Sequence, residues 1–402
     1  MAASLAESVN HNHFIAFSSH HPIPHITTPP AHHPTMPSTT TMRAIAATAR
    51  GGPSVIQPIT LPAPSPPTSH GLLVRVRATS VNPVDTKIRA GTYDDYQVPG
   101  DAVAYFSRAP ALPQVLGYDG AGEVEAVGPS AAEAGWKAGD RVYYSGAPSR
   151  QGADAELQLV DARSVARMPE ALDWVEAAAL PLTWITAWEA LVERMEIKEA
   201  ERAGVLIVNG AGGVGSVASQ IARHVLRLPV VVTTTSRDET RRFSLSMGAT
   251  HTVNHHDDLP SQIAALNLPV PIKYIFITHR TEQYLGPAAA ICAPFGKVSS
   301  IVQTKELPMY ETEWMAKSLT FSWVLLGTKP WYGVELNSHG QILEKLRELI
   351  DAGVVKTHLT QRLPLTAEGV RKGHELLAEA KVIGKIGLGV EEGGLKPGEA
   401  FA

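Results

Sequence analysis

One short run, Gly210-Ala211-Gly212-Gly213-Val214-Gly215, constrains the fold of this sequence more than any other part of it. It is a G-x-G-x-x-G that follows the apolar stretch 205–208 and precedes a helical pattern over 216–226, with a β-branched stretch at 230–235 beyond. Strand, glycine turn, helix and strand in that order make a βαβ unit. In such a unit Gly210 permits a tight turn, Gly212 lets the backbone approach a pyrophosphate, and Gly215 lets helix and strand pack closely. The free N–H groups and positive end of the helix then receive the phosphates. Further strand patterns at 274–277 and 297–302 alternate with helical ones. The expected fold is therefore α/β, with a doubly wound parallel sheet of Rossmann type.

The second strand of the unit bears on which dinucleotide binds. An NAD site needs an acid about 20 residues on, at the strand end, for the ribose 2′-hydroxyl. This chain has Thr234-Thr235-Ser236-Arg237 there. A carboxylate would repel a 2′-phosphate, whereas the Ser236 hydroxyl and the Arg237 guanidinium suit one through charge-assisted hydrogen bonds. NADPH is the expected cofactor. Asp238 and Glu239 follow at once, which leaves NAD as the alternative; the plain structural reading of Arg237 is an exposed helix-start residue paired with Glu239.

The remainder of the chain bounds the answer further. At 402 residues there is room for two domains. From Arg43 to about Asp173 the pattern is short, alternating and rich in Gly and Pro, which predicts a compact β-rich unit over 42–173. Helical character begins near Trp174, with Pro181 bending or interrupting a helix over 176–191. Residues 1–41 are rich in His, Pro, Ser and Thr and have no Lys or Arg. They lack the marks of a signal or transit peptide, so a disordered tail is expected, its histidines part of a low-complexity extension. A formal charge of −4 gives no basic excess for nucleic acid or an anionic membrane surface. No stretch approaches the roughly 18 apolar residues of a membrane helix. The single cysteine, Cys292, fits a reducing, cytoplasmic setting and reads as an inert buried thiol. A small-molecule substrate, electrophilic in kind, is the expected partner.

Three segments occur in order: Ser80-Val81-Asn82-Pro83-Val84-Asp85-Thr86-Lys87-Ile88-Arg89-Ala90-Gly91, Gly117-Tyr118-Asp119-Gly120-Ala121-Gly122, and the Gly210 motif. Together they resemble the quinone-oxidoreductase branch of the medium-chain dehydrogenases/reductases. Ala178-Ala179-Leu180-Pro181-Leu182-Thr183-Trp184 and Val253-Asn254-His255-His256 are similar to the group called zinc-type alcohol dehydrogenase-like proteins. The resemblance implies a GroES-like substrate domain over 42–173 and a Rossmann domain over 174–340. A C-terminal return over 341–392 would complete the first domain, with a tail over 393–402 and a homodimer as the assembly. By position it places Thr183 and Thr186 beside the pyrophosphate and nicotinamide, Thr278 near the adenosine, Val302 near the carboxamide, and Asn82 and Tyr118 facing the reacting ring.

Zinc alcohol dehydrogenases resembling this chain carry Cys where Asn82 stands and His where Tyr118 stands, with a further ligand near 180–182. Catalytic zinc needs about three protein ligands from Cys, His and Asp or Glu, so no metal is expected in the site. Asp85, Asp119 and the group His251, His255, His256 and Asp257 are weaker candidates, the last group reading better as a solvated loop. Without a Lewis acid, hydride transfer to a quinone or an α,β-unsaturated carbonyl is the expected chemistry. The Tyr118 hydroxyl, the Asn82 amide and Lys87 or Tyr93 are expected to donate hydrogen bonds to the developing oxyanion. Asp85 either orients these groups or relays a proton, or it is a capping or turn carboxylate following Pro83. Tyr93, Tyr96, Tyr105 and Phe106 either line a flat pocket or pack a long loop. Three rival roles stay open: a zinc-dependent alcohol dehydrogenase, a biosynthetic enoyl reductase, and a non-catalytic NADPH-binding protein.

Overall fold

The computed structural model of the chain describes residues 40–94, 111–147, 149–396 and 398–402. Residues 1–39, nearly all of the expected tail, lie outside the described residues, as do Tyr96, Tyr105 and Phe106. The first part of the chain forms β1 (Thr41–Ala47), β2 (Ile56–Pro62), β3 (Gly71–Ser80), α1 (Pro83–Arg89), β4 (Gln114–Val115), β5 (Asp119–Val127), α2 (Pro129–Glu133), β6 (Arg141–Ser145), β7 (Leu157–Asp161) and β8 (Val165–Arg167). Along β3, Leu72, Val74 and Val76 are buried while Arg75 points to solvent, the period-two pattern of a half-buried strand. The alternation stops at Ala78, after which Thr79 and Ser80 are both buried. There the strand runs into the interior and delivers polar groups to it.

Two short helices come next, α3 (Trp174–Ala178) and α4 (Pro181–Trp188). Pro181 opens α4, where a missing N–H costs nothing, so the helix expected over 176–191 breaks before it. α4 runs on into a π-helical turn at Glu189–Arg194. Then follow β9 (Gly204–Ile207), α5 (Gly213–Gln220), β10 (Val230–Thr235), α6 (Asp238–Ser246), β11 (His251–Asn254), α7 (Leu259–Ala265), β12 (Ile272–Ile277), α8 (Thr281–Ile291), β13 (Lys297–Ser300), α9 (Glu313–Ala316), β14 (Thr320–Trp323), α10 (Thr328–Tyr332) and α11 (Ser338–Asp351). The strands lie parallel in the order β11-β10-β9-β12-β13-β14. Every residue of β9 and β10 is buried, as helices on both faces require. The order reverses between β9 and β12, the crevice in which doubly wound sheets hold their ligands.

The chain ends with β15 (Leu359–Pro364), α12 (Ala367–Ala378) and β16 (Lys385–Gly389). β16 pairs antiparallel with β3, Gly387 opposite Ser80, and so completes the sheet β15-β16-β3-β5-β6-β8, with β7 also on β3. On its way it touches the glycine run, where Gly384 N–H donates to Ala211 O at 2.8 Å. One core is shared by both sheets, with Trp184, Ile185 and Val205 packed in the same cluster as Ala78, Ala121 and Tyr143. The segment expected as a tail over 393–402 is instead docked. Phe401 is 5% exposed and its N–H donates to Leu365 O, while Ala367 N–H donates to Ala402 O; ring burial and these main-chain bonds together offset the cost of ordering the segment. Thr41, the last residue of the expected N-terminal tail, already pairs with Pro62 in β1. Among the described residues no helix is long and apolar enough to cross a membrane.

Candidate active site

The glycine run builds a cradle at the C-terminal end of β9. Asn209 adopts φ +60°, held by Thr234 Oγ1, which accepts its N–H at 2.8 Å. The left-handed residue of the turn is thus Asn209 rather than Gly210. Gly210 is needed for another reason: a Cβ there would sit 2.3 Å from Thr233 Cβ. A Cβ on Gly215 would sit 2.2 Å from Asn209 O, the close packing of helix on turn that the motif requires. Gly212 is the N-cap of α5 with extended φ/ψ and no side-chain cap, so the first-turn N–H groups of that helix stay available to a phosphate. A Cβ on Gly213 would approach Thr183 Cγ2 at 3.2 Å, and Lys385 Cδ lies next nearest but one.

Around this cradle stand the other residues expected to bind a dinucleotide. Ser236 and Arg237 are exposed at the end of β10, before α6 begins with Asp238 and Glu239. Arg237 does not pair with Glu239; its Nη2 donates to Lys381 O at 3.4 Å, on the segment leading to β16. Thr278 follows β12 and donates to Val208 O at 2.7 Å, and Val302 follows β13, its carbonyl accepting Thr281 Oγ1–H. Thr183 and Thr186 are buried on α4, and their hydroxyls are spent within the helix on Leu180 O at 3.0 Å and Leu182 O at 2.7 Å. Ala211 and Val214 line the inner side of the run, 5% exposed and half-buried.

Facing the cradle, Asp119 at the start of β5 gathers four donors. Its Oδ2 accepts Ser80 Oγ–H at 2.6 Å, Asn82 Nδ2–H at 2.8 Å and Lys385 Nζ–H at 3.1 Å, and its Oδ1 accepts Leu182 N–H at 2.7 Å. Lys385, the first residue of β16, also donates to Ser80 Oγ at 2.5 Å and Val81 O at 3.1 Å. Asp119 is wholly buried and Lys385 is 4% exposed. This pair is stable only because its remaining valences are filled by hydrogen bonds. Beside it His358 is wholly buried, and burial with the Lys385 charge pushes its imidazole down to about 3, so it is neutral. His358 Nε2 lies 3.5 Å from Thr183 Oγ1.

Two expectations change on this geometry. The Asn82 amide was expected as an oxyanion donor, but its N–H₂ faces two acceptors, Asp119 Oδ2 and Ser80 O, and is committed to them. What Asn82 leaves free is Oδ1, buried and without a partner among the described residues: the residue presents an acceptor. Asp85 is a clamp rather than a relay, since Oδ2 accepts Asn82 N–H at 2.7 Å and Oδ1 accepts Gly117 N–H at 3.0 Å. Tyr118, 1% exposed, packs with Ile88, Leu116, Leu182 and Tyr93, and its hydroxyl accepts Gln114 Nε2–H at 3.5 Å. Burial and the nearby Asp85 raise the Tyr118 phenol far above its ordinary range, so it keeps its proton. Burial also raises Tyr93 and lowers the half-buried Lys87; among the described residues Lys87 Nζ forms no hydrogen bond or ion pair.

Of the weaker metal candidates, His251 lies in β11 and accepts or donates at Thr250 Oγ1, while His255 and His256 stack on each other with ring centroids 4.3 Å apart. No three His, Cys, Asp or Glu side chains among the described residues are placed to hold a metal ion. Cys292 is buried under β12, its thiol donating to Lys273 O, and burial raises it to about 11. Sequence reasoning missed Lys385, Ser80 and His358. The signal for Lys385 was a lysine opening an otherwise apolar strand, Lys-Ile-Gly-Leu-Gly.

Comparison with known proteins agrees with this architecture. Residues 68–170 match the alcohol dehydrogenase GroES-like domain family, and residues 213–337 match the zinc-binding dehydrogenase family. The chain is 34% identical over 330 residues to a zinc-type alcohol dehydrogenase-like protein of Staphylococcus aureus, covering 81% of this chain and 92% of that one. It is 37% identical over 220 residues to the human quinone oxidoreductase, covering 54% and 59%. A crystal structure from Rhizobium etli, assigned as a zinc-dependent alcohol dehydrogenase, superposes with a TM-score of 0.77 at 36% identity, covering 87% of this chain and 98% of that one. A mycobacterial protein solved in complex with NADPH superposes at 0.71 with 26% identity, covering 87% and 99%. The chain belongs to the medium-chain dehydrogenase/reductase family, as an oxidoreductase of the kind that binds a nicotinamide cofactor.

Proposed function

We propose that the protein is an NADPH-dependent reductase that works without zinc and passes hydride to a quinone or an α,β-unsaturated carbonyl. The observation that carries this reading is the state of the groups on the substrate side. Asn82 offers an amide, Tyr118 a phenol that keeps its proton, and Asp119 a carboxylate already filled by four donors. None of these is a thiolate, a free imidazole or a free carboxylate, so the donor set does not suit a catalytic zinc. An alcohol is a poor hydride donor without a Lewis acid, whereas an activated acceptor needs only hydrogen-bond donors at its oxygen.

For the cofactor, the support is the exposed Ser236–Arg237 pair at the end of β10 in place of a carboxylate. Bound NADPH would supply the hydride. The residues of this chain would orient it: the glycine cradle at the pyrophosphate, Arg237 at the 2′-phosphate, and Thr278 and Val302 along the strand ends. On the acceptor, hydride adds to the β-carbon of an enone or to a quinone, and charge grows on the carbonyl oxygen. Tyr118 O–H and the Lys87 amine, without a partner among the described residues, are the donors proposed to meet that charge, and Tyr118 or water supplies the proton that completes the reduced product.

The test is NADPH oxidation followed over quinones, enones, aldehydes and enoyl thioesters, repeated with NADH and with a chelator. Turnover of quinones or enones with NADPH, unchanged by the chelator, is expected. Preference for NADH, or loss of turnover on chelation that zinc restores, would overturn the reading, and a preference for enoyl thioesters would make the protein a biosynthetic enoyl reductase.

A further inference from the structure

Two parts of the site lie on segments far apart in the chain: the cradle at 210–215 and the polar cluster at Ser80, Asn82 and Asp119. They are joined through two consecutive residues. Gly384 N–H donates to Ala211 O, inside the cradle, and Lys385 Nζ donates to Ser80 Oγ, Val81 O and Asp119 Oδ2. Gly384 can be nothing larger at this place, since φ is +61° and a Cβ would meet His358 O at 2.2 Å. Lys385 therefore leaves the cradle at a fixed point and direction. Its ammonium donates to Asp119 Oδ2 in the interior, and that carboxylate in turn orients what touches it. It turns the Asn82 N–H₂ toward Asp119 and leaves Asn82 Oδ1 buried and without a partner among the described residues. The same carboxylate caps the first turn of α4 at Leu182, ahead of Thr183 and Thr186.

We propose that Lys385 is a positioning residue for hydride transfer: acting through Asp119, it fixes Asn82 with its carbonyl oxygen free to accept a hydrogen bond from the bound nicotinamide or the reduced product, and it ties that arrangement to the dinucleotide cradle. The inference rests on the reading of the chain as a nicotinamide-dependent reductase. Lys385 does not itself reach the reacting atoms; its ammonium is consumed by three partners of this chain.

The experiment uses the paired substitution Lys385→Met/Asp119→Asn in the full chain, which removes both charges together and strands neither in the interior. Asn82→Ala is made in the wild type and in the paired background. Melting temperature, hydrogen exchange of segments 80–85 and 210–216 with and without NADPH, and kcat/KM for the acceptor are measured. In the wild type NADPH protects both segments. In the paired variant we expect a melting temperature close to wild type, protection of 210–216 alone, and a loss in acceptor kcat/KM of about tenfold or more. Asn82→Ala, costly in the wild type, then costs less than about twofold, since the interaction it removes has already gone. A merely structural role predicts that the paired variant recovers turnover along with stability, and that result overturns the proposal. So does protection of 80–85 that is absent in the wild type or persists in the paired variant, or an Asn82→Ala cost equal in both backgrounds. Should the paired variant not fold, Asp119→Asn alone removes the carboxylate while Lys385 keeps Ser80 Oγ and Val81 O as partners, and retained protection of 80–85 there is equally decisive against the proposal. If the wild type binds NADPH but reduces no acceptor, the hydride-transfer reading fails and the exchange comparison still decides the positioning; if NADPH protects neither segment, both fall.

Discussion

Asp85 Oδ1 accepts the main-chain N–H of Gly117 at 3.0 Å, two residues before Asp119 and 32 positions along the chain. With its other oxygen on Asn82 N–H, Asp85 staples the turn that carries Asn82 to the turn that carries Tyr118. The carboxyl is wholly buried, and desolvation raises it to about 7 against the pull of both N–H groups and Lys385, with Asp119 adding to the rise. Asp154, also buried and raised well above its ordinary range, faces it from beside Thr79.

This sets a pH dependence of stability whose sign is fixed. Because the folded value exceeds the unfolded 3.8, the folded state holds more protons between about 4 and 7. Asp85 therefore contributes stability that is full below that window and is lost as pH rises through about 7. Asp85→Asn keeps one acceptor but sets N–H₂ against the other backbone N–H, for a loss of about 1–3 kcal/mol. Melting temperatures from pH 5 to 8 should show the advantage of the wild type over Asp85→Asn shrinking as pH rises. An advantage that is constant or grows with pH would contradict the assignment.

Tyr118→Phe removes a hydroxyl that makes one long contact with Gln114 and leaves the surrounding apolar packing intact. The fold should hold to within about 1 kcal/mol. If the phenol donates to the acceptor oxygen, kcat falls about tenfold or more while the NADPH dissociation constant stays within about twofold. Steady-state kinetics beside a fluorescence titration separate the two, and unchanged kcat removes Tyr118 from the chemistry.

How much of this was legible beforehand divides along local and non-local lines. The cradle was legible because its determinants are local: strand, glycines and helix lie within one stretch, and Gly215 is required by a contact only six residues away. The all-buried β10 was legible for the same reason, as an unbroken β-branched run. β11 and β14 are short strands of mixed polarity, His251–Asn254 and Thr320–Trp323, that hold their place through parallel neighbours rather than through any pattern of their own. The orientation of Asn82 was beyond reach because it is set by Asp119, 37 positions away, and Asp119 in turn by Lys385, 266 further on. Both meet only after β16 pairs with β3. The docking of Phe401 is non-local for the same cause, since it packs in one cluster with Leu365 and Val370.

Lys329, 4% exposed, is another buried cation with several partners. Its Nζ donates to both oxygens of Glu193 at 2.8 and 2.7 Å and to Ser338 Oγ at 2.6 Å, and lies 3.2 Å from Glu189 Oε1, which is itself 3.1 Å from His339 Nε2. This cluster ties the π-helical turn after α4 to α10 and α11. Lys329→Met leaves Glu189 and Glu193 without their cation and should cost about 3–5 kcal/mol. Denaturant unfolding measures it; a loss below about 1 kcal/mol would mean that solvent already reaches these carboxylates.

Arg237 offers the cleanest separation of cofactor choice from fold. Its main-chain N–H is accepted by Thr240 Oγ1 at 3.1 Å, so the start of α6 does not depend on the guanidinium, which is exposed and makes one 3.4 Å hydrogen bond among the described residues. Arg237→Ala should therefore leave the melting temperature unchanged. A charge-assisted hydrogen bond to a 2′-phosphate is worth about 1.5–3 kcal/mol, so NADPH should bind about tenfold to a hundredfold more weakly while NADH binding stays within about twofold. Ser236→Asp should move the preference further, since a carboxylate there repels the phosphate and accepts from a ribose 2′-hydroxyl. Calorimetric titration of both dinucleotides against the three proteins checks this. Equal losses for NADPH and NADH would show that Arg237 grips something common to both, and the basis for preferring NADPH would then have to lie elsewhere along the rim of the cradle.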